Sequence, residues 1–470
     1  MKKTLVALLA VLVCAGATSA SGLSLQAASP GSGGGGDPYF PADGNGGYDV
    51  RHYDIHDRID PRVGNLVGWT RVTAVATKGL SRFNLDLMLD VDAVWVNGTR
   101  AHFTRPSRHE LQITPTTAIG TGATFLVRVD YHGSPAGLGW RGEQPWTSGT
   151  GEVMAMNEPH IAPWWYPAND HPRDKARFDI SITVPTGQQV IANGKLVGKA
   201  AMGTNTVWHW RARDPMASYL AFFGAGRFAM QSGTSNGLQW TNAVSMKLSP
   251  ADRNRMLDLL RQSRSIVGWL ATQLGPYPFE TTGGVVTSLF TGFALENQTR
   301  PTYPEMFGPG AHTIVVHELA HQWFGDDVSV RTWRDIWLNE GFASFMEHRY
   351  DETHGGQSAA QWLADTYAFY PAGDQLWDMK IGEPGSASIF DIAVYERGAM
   401  TLQALRNRIG DDAFWSLLRD WVIQHHGGNG RIEQFMALAE QESGEQLDDF
   451  FTAWLFTASK PAHTAANGLA

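Results

Sequence analysis

Near Pro250 the hydrophobic period of the chain changes, and that change limits the folds open to it. Before it, runs such as YDVRHYDIHDRI, LVGWTRVTAVAT, SRFNLDLML, VDAVWVNG and ATFLVRVDYHG alternate apolar with polar residues. Gly, Pro, Asn or Asp separate the runs, as expected of half-buried strands joined by turns. ARFDISITVP, NTVWHWRA and YLAFFGAGRFAM repeat the texture. After it, apolar residues recur at three-and-four spacing, first from Arg253 to Leu274 and again in SAAQWLADTYAFY, ERGAMTLQALRNRI, DAFWSLLRDWVIQHH and IEQFMALAE. That is the spacing of amphipathic helices. The expected fold class is multidomain α+β: an all-β sandwich or saddle over residues 37–246, then a mostly helical domain with one small sheet over residues 247–460.

The size of the chain agrees with two domains. Its 470 residues are 43% hydrophobic and include 18 Trp and 22 Phe, enough apolar mass for more than one core. A formal net charge of −9 argues against nucleic acid or an anionic membrane surface as partner. No internal repeat stands out.

The first twenty residues, MKKTLVALLAVLVCAGATSA, have a basic start, an apolar run and a small-residue exit. They read as a secretory signal peptide cleaved after Ala20, which implies a secreted protein, extracellular or periplasmic, without stable membrane insertion after cleavage. The single cysteine, Cys14, falls inside that segment, so a mature chain would hold no disulfide. Residues 21–36, ending in GSGGGG, read as a Gly/Ser-rich disordered lead-in, and residues 461–470 as a frayed tail.

The chemistry concentrates in HELAHQWFGDDVSVRTWRDIWLNE, from His317 to Glu340. On a helix four residues turn about 400° and rise about 6 Å, so His317 and His321 leave one face. Glu340 sits on a second expected helix among the aromatic and small residues of WLNEGFASF. A buried carboxylate is costly unless it is paired or ligates a metal. Two imidazoles and one carboxylate suit a Zn²⁺ ion with an open fourth position. One Zn²⁺ per chain is expected, held by His317, His321 and Glu340, with Glu318 placed to act as general base on water. Asp326 and Asp327, just past the helix, are candidate supports for the ligands. His312, His348, His425 and His426 read as surface or packing residues.

These motifs resemble the aminopeptidase N type of zinc metallopeptidase, a gluzincin family that also includes leukotriene hydrolase. HELAHQWFGD is followed after eighteen intervening residues by Glu340, and PMASYLAFFGAGRF, LGPYPF, VYERGA and DDFFTAWL support the match from about Tyr48 to Leu455. The resemblance implies a thermolysin-like catalytic domain and peptide substrates with a free N-terminus. The family motif usually written GAMEN corresponds here to Phe293-Ala294-Leu295-Glu296-Asn297, with glycine replaced by Phe and methionine by Leu. It implies that Ala294, Leu295, Glu296 and Asn297 bind substrate, Glu296 holding the α-ammonium and Leu295 adjusting the first side-chain pocket. Counting from Tyr166-Pro167 as in relatives makes Glu158 a second ammonium clamp. Tyr395 inherits the role of donating a hydrogen bond to the developing oxyanion.

The activity implied is that of a secreted zinc aminopeptidase with Glu318 as general base. A related zinc endopeptidase is the first alternative, given the altered FALEN segment, and a catalytically inactive peptide-binding protein the second. Epoxide hydrolysis belongs to one branch of the family. Larger relatives continue into a helical domain that caps the cleft, so a more open cleft tolerant of longer peptides is expected. Oligomeric state and the preferred N-terminal residue are not legible.

Overall fold

The alternating first half folds into a mixed eight-stranded sheet. Its order is Lys195–Met202, Asn205–Met216, Ala176–Pro185, Tyr48–Ile59, Leu66–Ala76, Thr124–Gly133, Asp90–Val96 and Thr99–Arg100. The computed structural model describes residues 27–308 and 310–469, so the expected signal peptide lies outside the described residues. Tyr48–Ile59 shows the pattern at work. Val50 is buried, a bulge at Arg51 shifts the register, and burial resumes on Tyr53, Ile55, Asp57 and Ile59. The same strand pairs in parallel with Ala176–Pro185.

Two four-stranded sheets complete the β domain. One orders Ser29–Pro30, Leu80–Asp86, Glu110–Thr114 and His102–Thr104. The other orders Thr147–Gly149, Glu152–Ala155, Phe223–Gly226 and Gln189–Ala192. Their buried side chains join one hydrophobic cluster that continues into the second half.

The boundary expected at residue 246 falls earlier. The hairpin Phe228–Ser235/Leu238–Ser245 pairs in parallel with Thr281–Val286, which pairs with Thr302–Tyr303. These four strands are the small sheet of the second domain, so the division lies near residue 227. Alternation marks a strand without saying which sheet it joins. At Gly283, with φ +148°, a Cβ would lie 1.9 Å from Thr241 O, so only glycine allows that pairing.

The helices are α1 (Pro250–Arg261), α2 (Ser263–Leu274), α3 (Ala311–Ala320), α4 (Trp337–Thr353), α5 (Ala359–Phe369), α6 (Ile392–Ile409), α7 (Asp411–His425), α8 (Ile432–Ser443) and α9 (Asp448–Leu455). Ser249 caps α1 by accepting from the Asp252 N–H. The single helix expected from Arg253 to Leu274 is two, because hydrogen bonding at Gln262 tightens to three-residue spacing. No helix among the described residues is long and apolar enough to cross a membrane.

Both expected disordered ends are corrected where they are described. Ser29 N–H donates to Gly79 O at 3.0 Å and Gly31 N–H to Arg82 O at 2.7 Å. The glycines there serve close packing: a Cβ on Gly34 would lie 2.2 Å from Pro41 O. At the other end Thr464 caps a short turn over Ala465–Asn467. Trp454 Nε1 donates to Asn467 O at 3.2 Å, and Asn407 Nδ2 to Gly468 O at 3.0 Å. Small polar residues are ordered here through their carbonyls, which composition does not record.

Candidate active site

Helix α3 places its apolar residues Val315, Val316 and Leu319 in the core, which turns His317 and Glu318 toward the cleft. His321 is the C-cap of the same helix and keeps helical dihedrals. Helix α4 packs alongside and brings Glu340 from its first turn. The two His Nε2 atoms are 3.0 Å apart, and Glu340 Oε2 lies 3.4 Å from His317 Nε2 and 3.3 Å from His321 Nε2. Bonds of about 2.0–2.1 Å in a tetrahedral zinc site separate ligand atoms by about 3.3 Å.

The imidazole tautomers sharpen this fit. His321 Nδ1–H donates to Phe324 O at 3.0 Å, and His317 Nδ1–H donates to Glu347 Oε1 at 2.6 Å. With Nδ1 holding the proton, each neutral ring presents its Nε2 lone pair to the other and to a carboxylate oxygen. Three such atoms converging in a buried site are favourable only with positive charge among them, supplied by a bound metal ion or by protons on the rings. The residues fit zinc.

Glu347 was not singled out from sequence. It lies two helical turns after Glu340, a spacing that returns a side chain to nearly the same face and could have revealed it. Asp326 and Asp327 are not the ligands' supports. Asp327 accepts from His426 Nδ1 and from the Gly427 N–H. The Asp326 carboxylate makes no hydrogen bond, while its carbonyl and that of Asp327 receive the Lys175 ammonium at 2.7 and 2.8 Å. That contact joins the β domain to the loop after α3.

A cavity of about 580 Å³ opens on the triad. Glu158, Phe293, Ala294, Glu296, Glu318 and Tyr395 line it with the ligands and Glu347. Glu296 is 2% exposed and accepts from Tyr219 OH at 3.2 Å. Its carbonyl accepts from Gln322 Nε2 at 2.9 Å, so the residue after His321 ties the FALEN loop to the metal helix. Tyr219 and Gln322 lie inside PMASYLAFFGAGRF and HELAHQWFGD, but their roles depend on this tertiary contact. Glu158 enters from the β domain, and its Oε1 is buried without a partner.

Leu295 and Asn297 do not line the cavity. Leu295 is 2% exposed in the core while its backbone bridges Thr302, and Asn297 Nδ2 donates to Leu220 O at 3.2 Å. Alternation along the segment turns Ala294 and Glu296 to the cleft and the other two into the protein. Phe293, 40% exposed, stands at the cavity wall and narrows it.

Tyr395 is set by a helix crossing. Gly341, next to Glu340, meets Gly398 of α6, where a Cβ on Gly398 would lie 2.8 Å from Gly341 Cα. The close approach brings the Tyr395 ring to 6.0 Å from the His317 ring, nearly parallel to it.

The cavity's electrostatics are one-sided. Five glutamates line it, with no lysine or arginine among the described lining residues. Burial pushes the Glu158 carboxyl well up, and Glu296, Glu340 and Glu318 push it further. Burial also raises Glu318 to about 8, against the pull of the two imidazoles. A dication in the triad would draw Glu318 back toward the ionised form.

An imidazole pair from one helix and a carboxylate from the next, opening on a cleft between a β domain and a helical domain, define a mononuclear metallohydrolase class of site. Comparison with known proteins narrows the class. The Peptidase family M1 domain matches residues 274–454, and the Peptidase M1 N-terminal domain matches residues 51–220. Aminopeptidase M1-C of Oryza sativa subsp. japonica is 27% identical over 322 residues, covering 62% of this chain and 35% of that protein. Aminopeptidase N of Lactococcus lactis is 26% identical over 336 residues, covering 65% and 39%. The chain thus spans little more than a third of the length of these relatives. An M1 zinc metallopeptidase from Deinococcus radiodurans, a Glu→Ala mutant bound to a Tyr-Ser-Ala substrate, superposes with a TM-score of 0.79. It is 27% identical, and the match covers 91% of this chain and 99% of that one. This chain belongs to peptidase family M1, and zinc is the cofactor that membership indicates.

Proposed function

We propose that the protein is a secreted zinc aminopeptidase that removes N-terminal residues from peptides. The observation that carries the reading is the convergence of Glu158 and Glu296, one from each domain, on the cavity of the metal triad. Two buried carboxylates beyond those the metal uses call for a further cation, and a peptide's α-ammonium is one. Held there, it leaves room for one residue before the scissile bond. The Deinococcus radiodurans enzyme, with its bound tripeptide, supports a peptide as the occupant.

His317, His321 and Glu340 would hold the zinc, which would supply Lewis acidity toward a carbonyl oxygen and lower the pKa of water from about 15.7 toward roughly 7. Glu318 accepts the proton of the attacking water and returns it to the leaving amine. The Tyr395 phenol donates a hydrogen bond to the oxyanion as it forms, which favours the tetrahedral state over the ground state. Glu158 and Glu296 fix the ammonium, and Tyr219 holds the Glu296 carboxylate in place. Phe293 limits the width of the cleft. The leader of basic, apolar and small residues at positions 1–20 supports export.

The test pairs free and N-acetylated forms of one peptide with the wild type and Glu318→Gln. The free peptide is expected to be cut one residue from its N-terminus and the blocked one to be inert. Glu318→Gln is expected to keep its zinc and lose nearly all turnover. Normal cleavage of the blocked peptide would overturn the exopeptidase reading, and full activity of Glu318→Gln would overturn the mechanism.

A further inference from the structure

A second group of metal-ligating side chains lies in the β domain, outside the lining of the cleft. In the sheet that begins at Ser29, Asp86 stands opposite Glu110 across an antiparallel pair, and His109 precedes Glu110. One ligand atom from each of Asp86, His109 and Glu110 falls within 4.8 Å of the other two. The three residues are 0%, 2% and 9% exposed.

Each keeps one polar atom without a partner. Asp86 Oδ1, Glu110 Oε1 and His109 Nε2 make no hydrogen bond. Leaving two buried carboxylate oxygens without partners is costly, and more so when they are charged; the His109 ring turns Nδ1 toward Asp86, so Nδ1 is the nitrogen that can share a cation with them. The nearby Arg105 gives its guanidinium to the carbonyls of Leu87, Leu89 and Arg108 rather than to these carboxylates.

The spacing within the cluster also favours a cation over a hydrogen bond. His109 Nδ1 lies 3.5 Å from Asp86 Oδ1. That exceeds the roughly 2.7–3.2 Å of a hydrogen bond and is close to the separation of about 3.3 Å between ligands on one zinc-sized ion. The catalytic triad shows the same signature at 3.0–3.4 Å. The ligands are also oriented from outside. Asp86 Oδ2 accepts from the Asp170 N–H at 2.8 Å, and the His109 ring stacks on Trp140 at 3.9 Å.

We propose that Asp86, His109 and Glu110 bind a second, structural divalent cation of the first-row class that accepts imidazole and carboxylate together, Zn²⁺ first among them. The site would brace the substrate loop. Asp86 and Ala168 exchange backbone hydrogen bonds at 2.8 and 3.0 Å. Asp170 follows in the same loop, which starts near Glu158 and ends at Lys175, the residue that reaches the carbonyls after α3. A cation on Asp86 therefore ties the sheet to the segment that presents Glu158.

The experiment measures metal content of the full-length protein by inductively coupled plasma mass spectrometry after removal of loosely held ions. Wild type is expected to hold two equivalents and His317→Ala/His321→Ala to retain one. Adding His109→Gln to that double variant should remove the last equivalent. In parallel, chelator-treated His317→Ala/His321→Ala titrated with Zn²⁺ should show a rise in melting temperature, which the added His109→Gln abolishes. This second readout needs no activity and also reports whether the variants fold. One equivalent in wild type, none in the triad variant and no thermal response to Zn²⁺ would overturn the proposal. So would a second equivalent that His109→Gln leaves in place.

Discussion

Replacing Gly398 by alanine isolates what the crossing of α4 and α6 does for catalysis. The new Cβ would lie 2.8 Å from both Gly341 Cα and Trp337 Cδ1. Carbon pairs rest at about 3.5–4.0 Å, so the helices must part by roughly 1 Å or Trp337 must swing away. Trp337 is fully buried, with its ring against Phe342 and Phe435, so separation is the easier response. Overpacking of this kind costs about 1–3 kcal/mol. Glu340 adjoins Gly341, and Tyr395 lies one turn before Gly398, so the separation moves the phenol relative to the metal ligands. A donor useful only within about 2.7–3.1 Å of the oxyanion does not survive such a shift, and a displacement near 1 Å costs roughly 100-fold.

Steady-state kinetics on an aminoacyl chromogen should therefore show kcat down roughly 100-fold. KM should move little, because Glu158 and Glu296, the proposed ammonium clamps, lie on other segments. The deciding measurement is the double variant. If Gly398→Ala acts through the phenol, adding it to Tyr395→Phe should lower kcat by less than about threefold more. Wild-type kcat in Gly398→Ala, or a full multiplicative loss in the double variant, would refute the reasoning.

Glu347→Gln removes the charge that orients His317, and zinc affinity measured by competition with a chelator should fall roughly 10–100-fold; unchanged affinity would dismiss Glu347 as a support. Glu296→Gln and Glu158→Gln each weaken a charge-assisted contact worth about 1.5–3 kcal/mol, so KM for free-amine substrates should rise roughly 10–150-fold. A Glu296→Gln variant with wild-type KM would detach that residue from the ammonium. Stability should also depend on pH through His160. Burial opposes its charge, but hydrogen bonds to Asp43 and Glu143 overcome this and hold it up at about 10 against an ordinary 6.5. A raised folded pKa gives stability that is complete below pH 6.5 and lost as pH rises toward 10. The melting temperature should decline across that window in wild type and be flatter in His160→Gln; equal slopes would remove His160 as the cause.

The metal triad was legible because helical geometry alone fixes two of its members. His317 and His321 need only a helix to share a face, and the texture of WLNEGFASF marked Glu340 for burial. The division into a β half and a helical half was legible for the same reason, since the change of period near Pro250 is a local property. Sequence and structure part where one local pattern serves two tertiary ends. The hairpin from Phe228 to Ser245 alternates like any other strand pair, yet its parallel contact with Thr281–Val286 assigns it to the helical domain. The glycines of residues 31–36 read as slack because composition does not register the backbone lying 2.2 Å from where a Gly34 Cβ would sit.

The same distinction separates the reacting residues from those that hold them. Motif spacing marks Glu318, but nothing local in Gln322 announces that its side chain carries the Glu296 carbonyl and the Thr299 N–H. Tyr219 lies 77 residues from the carboxylate it steadies. These contacts connect the metal helix, the FALEN loop and the β domain, so the separation between the His317–His321–Glu340 triad and Glu296, the proposed ammonium clamp, depends on all three at once. Loosening any one should therefore cost selectivity for a free N-terminus before it costs zinc. Tyr219→Phe gives the mildest test of that order: it deletes one hydrogen bond to a carboxylate, worth about 1.5–3 kcal/mol, and leaves every metal ligand and its orienting partner untouched.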